Sequence, residues 1–353
     1  MTTREAPEPG DLPGLDVARL RDWLSRQDLA SGPLRTELFA GGRSNLTYAL
    51  DVDDHEWVLR RPPLGHVLAT AHDMAREHRV LTALAGTPVP VPRTVALCTD
   101  PSVIGASFYL MERVPGVVLR TRKDVARLAP AERRHVADAM IDVLADLHAV
   151  DPDAVGLGDF GRPQGFLARQ VRRWGQQLDR SRSRPLPGID VLRVRLAGTV
   201  PPESSSRRRP GIVHGDYRLD NLVLDADTLG VAAVLDWEMS TLGDPLADVG
   251  LLVAYTHGLG SAPGPVASAF GPAAGFPATD ELVARYAERT GLDDDDLAAL
   301  RWTTALGFFK IAVILEGIHY RWTKQQTVGE GFDRIGELVP GLVTAGIDAL
   351  DRS

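Results

Sequence analysis

One stretch, residues 211–248, constrains this chain more than any other. It reads GIVHGDYRLDNLVLDADTLGVAAVLDWEMSTLGDPLAD. Asp216 is followed by Asn221 five residues later and by Asp236 fifteen after that, each at the edge of a short apolar run. Because these runs favour β-strands, the three polar side chains are expected at strand ends, where a scaffold presents catalytic groups. A carboxylate, an amide and a second carboxylate in this order predict a phosphoryl-transfer site.

Phosphoryl transfer requires these residue types. A carboxylate beside the attacking hydroxyl can orient it or accept its proton, and we expect Asp216 to do so. Mg²⁺ takes oxygen ligands, few of them from protein and the rest from phosphate and water, so Asn221 and Asp236 are the candidate metal ligands. The turn-forming residues 225–230 predict a hairpin that brings these two side chains towards one ion.

The motif H-G-D-x-x-x-x-N reproduces the protein-kinase catalytic loop with Gly in place of Arg, and Asp236-Trp237-Glu238 stands where kinases have D-F-G. The chain resembles the aminoglycoside phosphotransferase family, and within it the kinase-like domains associated with acyl-CoA dehydrogenases. HGDYRLDN and LDWEMSTLGDPLADVG carry this resemblance, with weaker similarity from about residue 34 onward. The resemblance implies a two-lobed, protein-kinase-like α+β fold, Asp216 as catalytic base, and Asn221 and Asp236 as Mg²⁺ ligands.

Composition narrows the classes of protein. A chain of 353 residues with 44% hydrophobic and 24% charged residues is ordinary for a globular protein of two domains or one large one. A formal net charge of -8 argues against a nucleic-acid binder. The single cysteine, Cys98, allows no intramolecular disulfide and favours a reducing compartment. The sequence shows no apolar segment of a signal peptide or of a membrane span, so we expect a cytoplasmic protein without membrane partners.

Three regions are predicted along the chain. Residues 1–14 are polar and Pro-rich, which is typical of a disordered tail. Residues 15–114 are expected to form a small β-rich N-lobe with a nucleotide-binding loop, and residues 115–353 a larger helical C-lobe with the catalytic loop and acceptor site. The segment 111–116 is interpreted as the hinge, whose backbone can pair with the edge of adenine. The candidate adenine contacts are Met111, Glu112 and Val114.

The N-lobe carries the residues expected to hold the phosphates of ATP. A glycine-containing loop offers backbone amides and short polar side chains, although a Gly-Gly hairpin turn is an equal alternative. The candidates in this loop are Gly41, Gly42, Ser44 and Asn45. Where kinases place a Lys, this chain has Arg60, which keeps the positive charge but presents a wider planar fork. The kinase order makes Glu77, on the following helix, its ion-pair partner.

A helix over residues 166–178 is expected to form a wall of the acceptor site. Its polar stripe contains Trp and two Arg, which is unusual for a core face, although a solvated helix with one packed Trp is an equal alternative. Arg169 or Arg173 could meet an acidic group of the substrate. The full set of candidate acceptor residues is Arg169, Arg173, Trp174, Glu238, Glu316 and Tyr320. The Gly/Ala/Pro loop 259–277 is interpreted as a candidate lid, and residues 207–209, three arginines, as a solvated charge run.

These observations predict ATP- and Mg²⁺-dependent phosphorylation of a small-molecule hydroxyl. The resemblance to the dehydrogenase-associated branch implies a hydroxy acid or hydroxyacyl-CoA as acceptor, whereas the wider family implies an aminoglycoside or another amino alcohol. A nucleotide-binding pseudokinase without turnover is the alternative from another class. Arg60 in place of Lys favours it, and the intact Asp216, Asn221 and Asp236 oppose it. No A-P-E segment follows Asp236, which argues against a protein kinase. The oligomeric state stays open.

Overall fold

The computed structural model describes residues 12–39, 45–64, 73–202, 208–260, 268–326 and 332–351. The chain divides into two compact units. The first comprises the residues up to Gly86 together with Pro90–Pro115, and the second comprises Thr87–Val89 and the chain from Gly116 onward.

The first unit is an antiparallel sheet with two helices among its described residues. Its five strands lie in the order β1-β2-β3-β5-β4. Side chains from one face of the sheet and from the first helix form the core, in which the rings of Trp23 and Phe108 meet edge to face at 5.0 Å. Each helix begins at an aspartate, Asp16 or Asp73, that accepts a backbone N–H of the first turn. The elements are α1 (Val17–Arg26), β1 (Arg35–Leu38), β2 (Leu46–Val52), β3 (His55–Arg61), α2 (Met74–Leu84), β4 (Thr94–Cys98) and β5 (Phe108–Glu112).

The second unit is mainly helical and carries two small antiparallel pairs, β6 with β9 and β7 with β8. Its helices are α3 (Arg122–Val125), α4 (Pro130–Ala149), α5 (Phe166–Ser181), α6 (Ile189–Gly198), α7 (Leu246–Gly258), α8 (Thr279–Thr290), α9 (Asp294–Thr323) and α10 (Val339–Asp351). Its strands are β6 (Gly211–Val213), β7 (Leu222–Leu224), β8 (Val231–Val234) and β9 (Thr241–Gly243). Both strand pairs lie within residues 211–248, the stretch that contains Asp216, Asn221 and Asp236.

The core of the second unit is built around α9. This helix has 30 residues and begins with a capping box in which Asp293 and Asp296 each accept the other's backbone N–H. By length and apolar composition it could cross a membrane, but 78% of its most apolar window is buried inside the unit. It packs against α5, α7 and α10, so it is the central core helix of this unit.

The start of α10 differs from the sequence-based expectation. The sequence predicts a last helix over about residues 331–350, whereas α10 begins at Val339 after the 3₁₀ turn Ile335–Leu338. Pro340 explains the difference because proline lacks the backbone N–H needed inside a helix and fits best in its first turn.

The interpretation of residues 207–209 as a solvated charge run is wrong for Arg208. Its side chain is buried, with Nε 3.2 Å from Oδ2 of Asp244 and Nη1 2.7 Å from Oδ1 of Asp296. Both carboxylates lie near helix starts and are fully buried, so they require a counter-charge. Arg209 is exposed as expected, and Arg207 lies outside the described residues.

Candidate active site

In the first unit, the carboxylate of Glu77 holds three polar side chains. Oε2 lies 3.2 Å from Nε of Arg60 and accepts the Tyr109 hydroxyl at 3.0 Å, while Oε1 accepts the amide of Asn45 at 3.1 Å. The predicted ion pair of Arg60 and Glu77 is therefore present. Glu77 is buried on α2, and a buried carboxylate needs such partners. These contacts orient the side chain of Arg60 relative to strand β3.

The neighbouring Arg61 has a different role because successive side chains of a strand point to opposite faces. Its guanidinium is buried and donates to the carbonyl oxygens of Gly14 and Ile104. Burial lowers the pKa of Arg61. Of the two adjacent arginines, Arg60 pairs with Glu77 of α2, whereas Arg61 donates to backbone carbonyl oxygens on the opposite face of the sheet.

The remaining nucleotide candidates fall into two groups. Met111 is buried in β5, the Glu112 carboxylate pairs with Arg93, and Val114 is half-buried. Their contact with adenine stays a prediction. Gly41, Gly42 and Ser44 of the glycine-containing loop lie outside the described residues.

In the second unit, Asp248 of α7 holds the catalytic loop. Its Oδ2 accepts the backbone N–H of His214 at 2.7 Å and lies 3.3 Å from Nε2 of His148, while Oδ1 accepts the N–H of Gly215 at 2.8 Å. Burial alone would raise the pKa of Asp248. The hydrogen bond and charge of His148, together with the nearby His214 ring and the hydrogen bond from the Gly215 N–H, outweigh burial and lower this pKa. Asp248 thus fixes the backbone of the catalytic loop, and His148 is a further partner of its carboxylate.

The imidazole of His214 joins two parts of the site. Its Nδ1 accepts the backbone N–H of Asp216 at 3.2 Å, and its Nε2 lies 2.9 Å from the carbonyl oxygen of Leu235. A ring nitrogen that accepts from an N–H carries no proton, so the tautomer is the Nε2–H form, which donates to Leu235. This buried side chain therefore links the loop of Asp216 to the segment of Asp236.

Both carboxylate oxygens of Asp216 are oriented by neighbours. Oδ1 accepts the hydroxyl of Tyr255 at 3.0 Å, and Oδ2 accepts the side-chain amide of Asn221 at 3.3 Å. Burial and the charge of Asp216 raise the pKa of Tyr255, so the phenol keeps its proton and acts as a donor. The carboxylate is half-buried and fixed in direction, as a residue that orients a hydroxyl must be.

The hairpin of β7 and β8 places Asn221 beside the Asp236 segment. The backbone N–H of Leu235 donates to the carbonyl oxygen of Asn221 at 2.8 Å, next to the paired residues Leu222 and Val234. Asp236 has a φ of 66°, a left-handed conformation that a non-glycine residue adopts at a cost. The hairpin therefore brings the backbone of Asn221 next to that of Leu235, one residue before Asp236, and a shared ion stays a prediction.

The two side chains fit a Mg²⁺ ion. The amide nitrogen of Asn221 is committed to Asp216, so its carbonyl oxygen Oδ1 would be the ligand atom, and Asp236 would supply a carboxylate. Within the parts of the chain that the structure describes, no group of three His, Cys, Asp or Glu side chains is arranged to hold a metal. Two oxygen ligands suit an ion that takes its other ligands from phosphate and water.

Comparison with known proteins decides the family. The model of the phosphotransferase enzyme family matches residues 35–303. The chain belongs to this phosphotransferase family. The predicted α+β kinase-like fold is confirmed.

Two relatives among known proteins are longer than this phosphotransferase. Acyl-CoA dehydrogenase family member 10 from Mus musculus is 35% identical over 321 residues, covering 89% of this chain and 29% of that protein. Acyl-CoA dehydrogenase family member 11 from Gallus gallus is 33% identical over 328 residues, covering 91% of this chain and 41% of that protein. The chain thus spans less than half the length of these relatives.

Solved structures show the same fold. A candidate aminoglycoside phosphotransferase from Ralstonia eutropha is 36% identical, with a TM-score of 0.79 and coverage of 96% of this chain and 98% of that one. The macrolide 2'-phosphotransferase MphH from Brachybacterium faecium is 20% identical, with a TM-score of 0.56 and coverage of 96% and 99%. The second structure supports the fold alone.

The phosphotransferase's candidate acceptor residues on α5 have separate environments. Arg169 donates to the carbonyl oxygens of Arg162 and Gln164, so it stabilises the turn before its own helix. Arg173 is exposed, with Cζ 5.8 Å from the ring centroid of Trp174, and Trp174 itself is buried in the core. Of the two predicted arginines, Arg173 keeps a side chain that an acidic acceptor can reach.

Glu316 does not suit its expected place in an acceptor pocket. The side chain is fully buried, and its carboxylate accepts the N–H and hydroxyl of Ser183 and pairs with Arg184 at 3.1 Å. It is therefore a structural carboxylate that ties α9 to the segment after α5. Tyr320 is half-buried one helical turn further along α9, and Glu238 is half-buried in the 3₁₀ turn after Asp236.

Two residues that contact the catalytic loop were missed from the sequence. Tyr255 of α7 donates to Asp216, and Lys310 of α9 donates to the carbonyl oxygen of Gly215 at 2.6 Å. The signal for Lys310 was a single charge in the apolar run ALGFFKIAVIL. Such a charge inside a core helix marks a specific partner, because an unpaired buried ammonium is costly.

Proposed function

We propose that this phosphotransferase transfers the γ-phosphoryl group of ATP to a hydroxyl of a small organic acid or of its CoA thioester. One observation carries the proposal, namely that Asp216, Asn221 and the Leu235–Asp236 segment form one hydrogen-bonded arrangement. It provides a fixed carboxylate for the hydroxyl beside two oxygen ligands for a divalent ion. Catalysis of phosphoryl transfer depends mainly on such positioning and charge neutralisation.

Each residue has a distinct part in this proposal. Asp216 accepts the hydrogen bond of the acceptor hydroxyl and receives its proton as the oxygen–phosphorus bond forms. Asn221 and Asp236 would hold Mg²⁺, and Arg60, oriented by Glu77, would bind the phosphates. ATP with its Mg²⁺, when bound, supplies the phosphoryl group and neutralises charge that develops on the leaving ADP oxygen. The Tyr255 hydroxyl donates a hydrogen bond to Oδ1 of Asp216, and this bond holds the carboxylate in a fixed orientation.

An acidic acceptor matches the charges near Asp216. Exposed Arg173 lies beside Trp174, and the Lys310 ammonium lies 5.3 Å from the same ring, so two cations flank it. Guanidinium groups bind carboxylates and phosphates strongly. The relatives whose names refer to acyl-CoA dehydrogenases are consistent with a hydroxylated acyl compound as acceptor. We further propose that the protein works in the cytoplasm.

An aminoglycoside or other amino alcohol is the second acceptor class. Solved relatives with this kind of name favour it, including one described as a complex with AMP-PNP and hygromycin B. A cationic acceptor requires carboxylates on the protein. Glu316 is already bound to Ser183 and Arg184, which leaves Glu238 as the remaining candidate. This distribution of charge favours the acidic acceptor.

The proposal is tested by measuring the formation of ADP from ATP, in the presence of Mg²⁺, with each of three panels of candidate acceptors. The panels are hydroxy acids with hydroxyacyl-CoAs, aminoglycosides, and choline-like amino alcohols. We expect turnover with the first panel, and a higher melting temperature when an accepted compound is added, because a ligand that binds the native state stabilises it. Turnover with the second or third panel alone would replace the acceptor assignment. Binding of ATP without turnover in any panel would support the nucleotide-binding pseudokinase.

A matched pair of variants separates the acceptor classes further. Arg173→Met should raise the KM of an acidic acceptor about 10-fold or more and leave the KM of ATP unchanged, since one charge-assisted hydrogen bond contributes about 1.5–3 kcal/mol. Arg172→Met is the control because Arg172 is exposed at the adjacent position of the same helix. Equal KM values in the two variants would remove Arg173 from the acceptor site.

A further inference from the structure

Lys310 is a buried cation at the catalytic loop. Its residue is 8% exposed, and its Nζ donates to the carbonyl oxygen of Gly215 at 2.6 Å. The same Nζ lies 5.3 Å from the ring centroid of Trp174, a distance at which an aromatic face attracts a cation. α9 is otherwise apolar around this position, so the lysine is directed to one partner in the loop.

Keeping an ammonium group in this core reduces stability. Burial lowers the pKa of Lys310, while the carboxylates of Asp216 and Asp248 oppose that shift and the charge of Arg173 reinforces it. An apolar side chain of similar length would avoid the cost of desolvation. A charge retained in a core against stability is expected where it serves a site. A purely structural role does not explain the choice of lysine.

The bond from Lys310 completes the fixation of one peptide unit. The peptide between Gly215 and Asp216 has its carbonyl oxygen bound by Lys310 and its N–H bound by Nδ1 of His214. Gly215 has a φ of 85°, and a Cβ there would lie 2.8 Å from the carbonyl oxygen of Met239. The chain therefore turns through a glycine that tolerates this conformation, and two side chains fix the plane of the next peptide.

We infer that Lys310 is a positioning residue for phosphoryl transfer, which sets from α9 the direction in which the Asp216 carboxylate faces the acceptor hydroxyl. The inference rests on the proposed function of Asp216. Lys310 acts through the Gly215–Asp216 peptide, so its removal should affect the rate of transfer more than the binding of ATP.

The inference is tested by steady-state kinetics of Lys310→Met. The assay contains ATP, Mg²⁺ and the best acceptor of the three panels. We expect kcat about 100-fold below the parent value, the loss typical of a displacement of about 1 Å at the reacting group. The KM of ATP should stay within about 3-fold, because one carbonyl of the loop is changed and no proposed phosphate contact is touched. The melting temperature should equal or exceed that of the parent, since the buried charge is gone.

Two further variants keep the test decisive. Lys310→Arg retains the charge and should recover kcat to within about 10-fold of the parent, which a role in core packing alone does not predict. Arg301→Met is the matched control, because Arg301 is an exposed cation of the same helix. If Lys310→Met does not fold, Lys310→Gln is measured in its place, with the same expectation because its shorter side chain does not reach Gly215.

The outcomes are distinguishable from failure of the proposed function. Parent-level kcat in Lys310→Met would overturn the inference and leave the proposed function intact. A loss of kcat matched by a large fall in melting temperature, and not repaired in Lys310→Arg, would also overturn it by assigning Lys310 to the fold. A parent protein that transfers no phosphate to any acceptor would overturn the proposed function and this inference together.

Discussion

The side-chain amide nitrogen of Asn221 lies 2.9 Å from the backbone carbonyl oxygen of Asp216 and 3.3 Å from its Oδ2. This double contact orients the amide, because only the nitrogen can donate. In the proposed function, the carbonyl oxygen Oδ1 of Asn221 binds the cation and the carboxylate of Asp216 meets the hydroxyl, so one side chain separates the metal position from the position of the base.

Asp236→Asn tests the metal assignment. Asparagine is similar in size and tolerates the left-handed conformation of residue 236, so we expect the melting temperature to stay within about 3 °C of the parent. Loss of an anionic ligand should raise the Mg²⁺ concentration for half-maximal turnover at least about 10-fold, and chelation by EDTA should abolish turnover in both proteins. An unchanged Mg²⁺ requirement would remove Asp236 from the ion site.

Arg60→Met tests the phosphate assignment. A charge-assisted hydrogen bond contributes about 1.5–3 kcal/mol, so loss of the guanidinium should raise the KM of ATP about 10- to 100-fold. Arg60→Lys should have a smaller effect because it keeps the charge but loses the planar fork. Arg35→Met, at an exposed position of β1, is the control. The assignment is wrong if Arg60→Met and Arg35→Met have the same KM for ATP.

The hydrogen bonds of Asp248 predict a dependence of stability on pH. Because its folded pKa is lowered below the unfolded value of about 3.9, Asp248 stabilises the fold above that value, and this stabilisation is lost as the pH falls through the folded pKa. Asp248→Asn should therefore reduce the free energy of unfolding by about 3 kcal/mol at pH 7. The difference from the parent should shrink below about pH 4.

Urea unfolding of the parent and of Asp248→Asn from pH 7 to pH 3 measures this difference. Asp54→Asn, at an exposed turn in the first unit, is the control and should show no comparable change. A difference that grows as the pH falls would contradict the assigned direction of the pKa shift.

The buried ion cluster that Arg208 forms with Asp244 and Asp296 can be tested by comparing Arg208 with its exposed neighbour Arg209. Arg208→Met leaves the carboxylates of Asp244 and Asp296 without their cation, and breaking a buried ion pair in this way costs about 3–5 kcal/mol. Arg209→Met, at the exposed neighbouring position, should change the free energy of unfolding by less than about 0.5 kcal/mol. Denaturant unfolding compares the two variants, and equal stabilities would show that Arg208 is solvated.

The local part of the site could be predicted from the sequence. Asp216, Asn221 and Asp236 lie within 21 consecutive residues, and turn chemistry between two β-favouring runs dictates that the hairpin brings the last two together. The ion pair of Arg60 and Glu77 followed from the order of strand and helix in the kinase-like family. In these cases short-range geometry specifies which side chains meet.

The remaining contacts depend on how helices pack. α9 is apolar around most of its circumference, so its periodicity does not reveal which side faces the catalytic loop, and Lys310 and Glu316 could not be assigned a direction. Glu316 was expected in the acceptor site and is bound to Ser183 and Arg184. Arg208 was expected in solvent because its two carboxylate partners are distant in the sequence.

The central claim is that Asp216 serves the acceptor hydroxyl. The most direct measurement is ATP-dependent phosphorylation of the best acceptor by Asp216→Asn, with Asp227→Asn in the exposed hairpin turn as the control. We predict that Asp216→Asn loses about 100- to 10,000-fold in kcat, the contribution of a positioned general base, with ATP binding and the activity of the control unchanged. Phosphorylation at the parent rate by Asp216→Asn would contradict the claim.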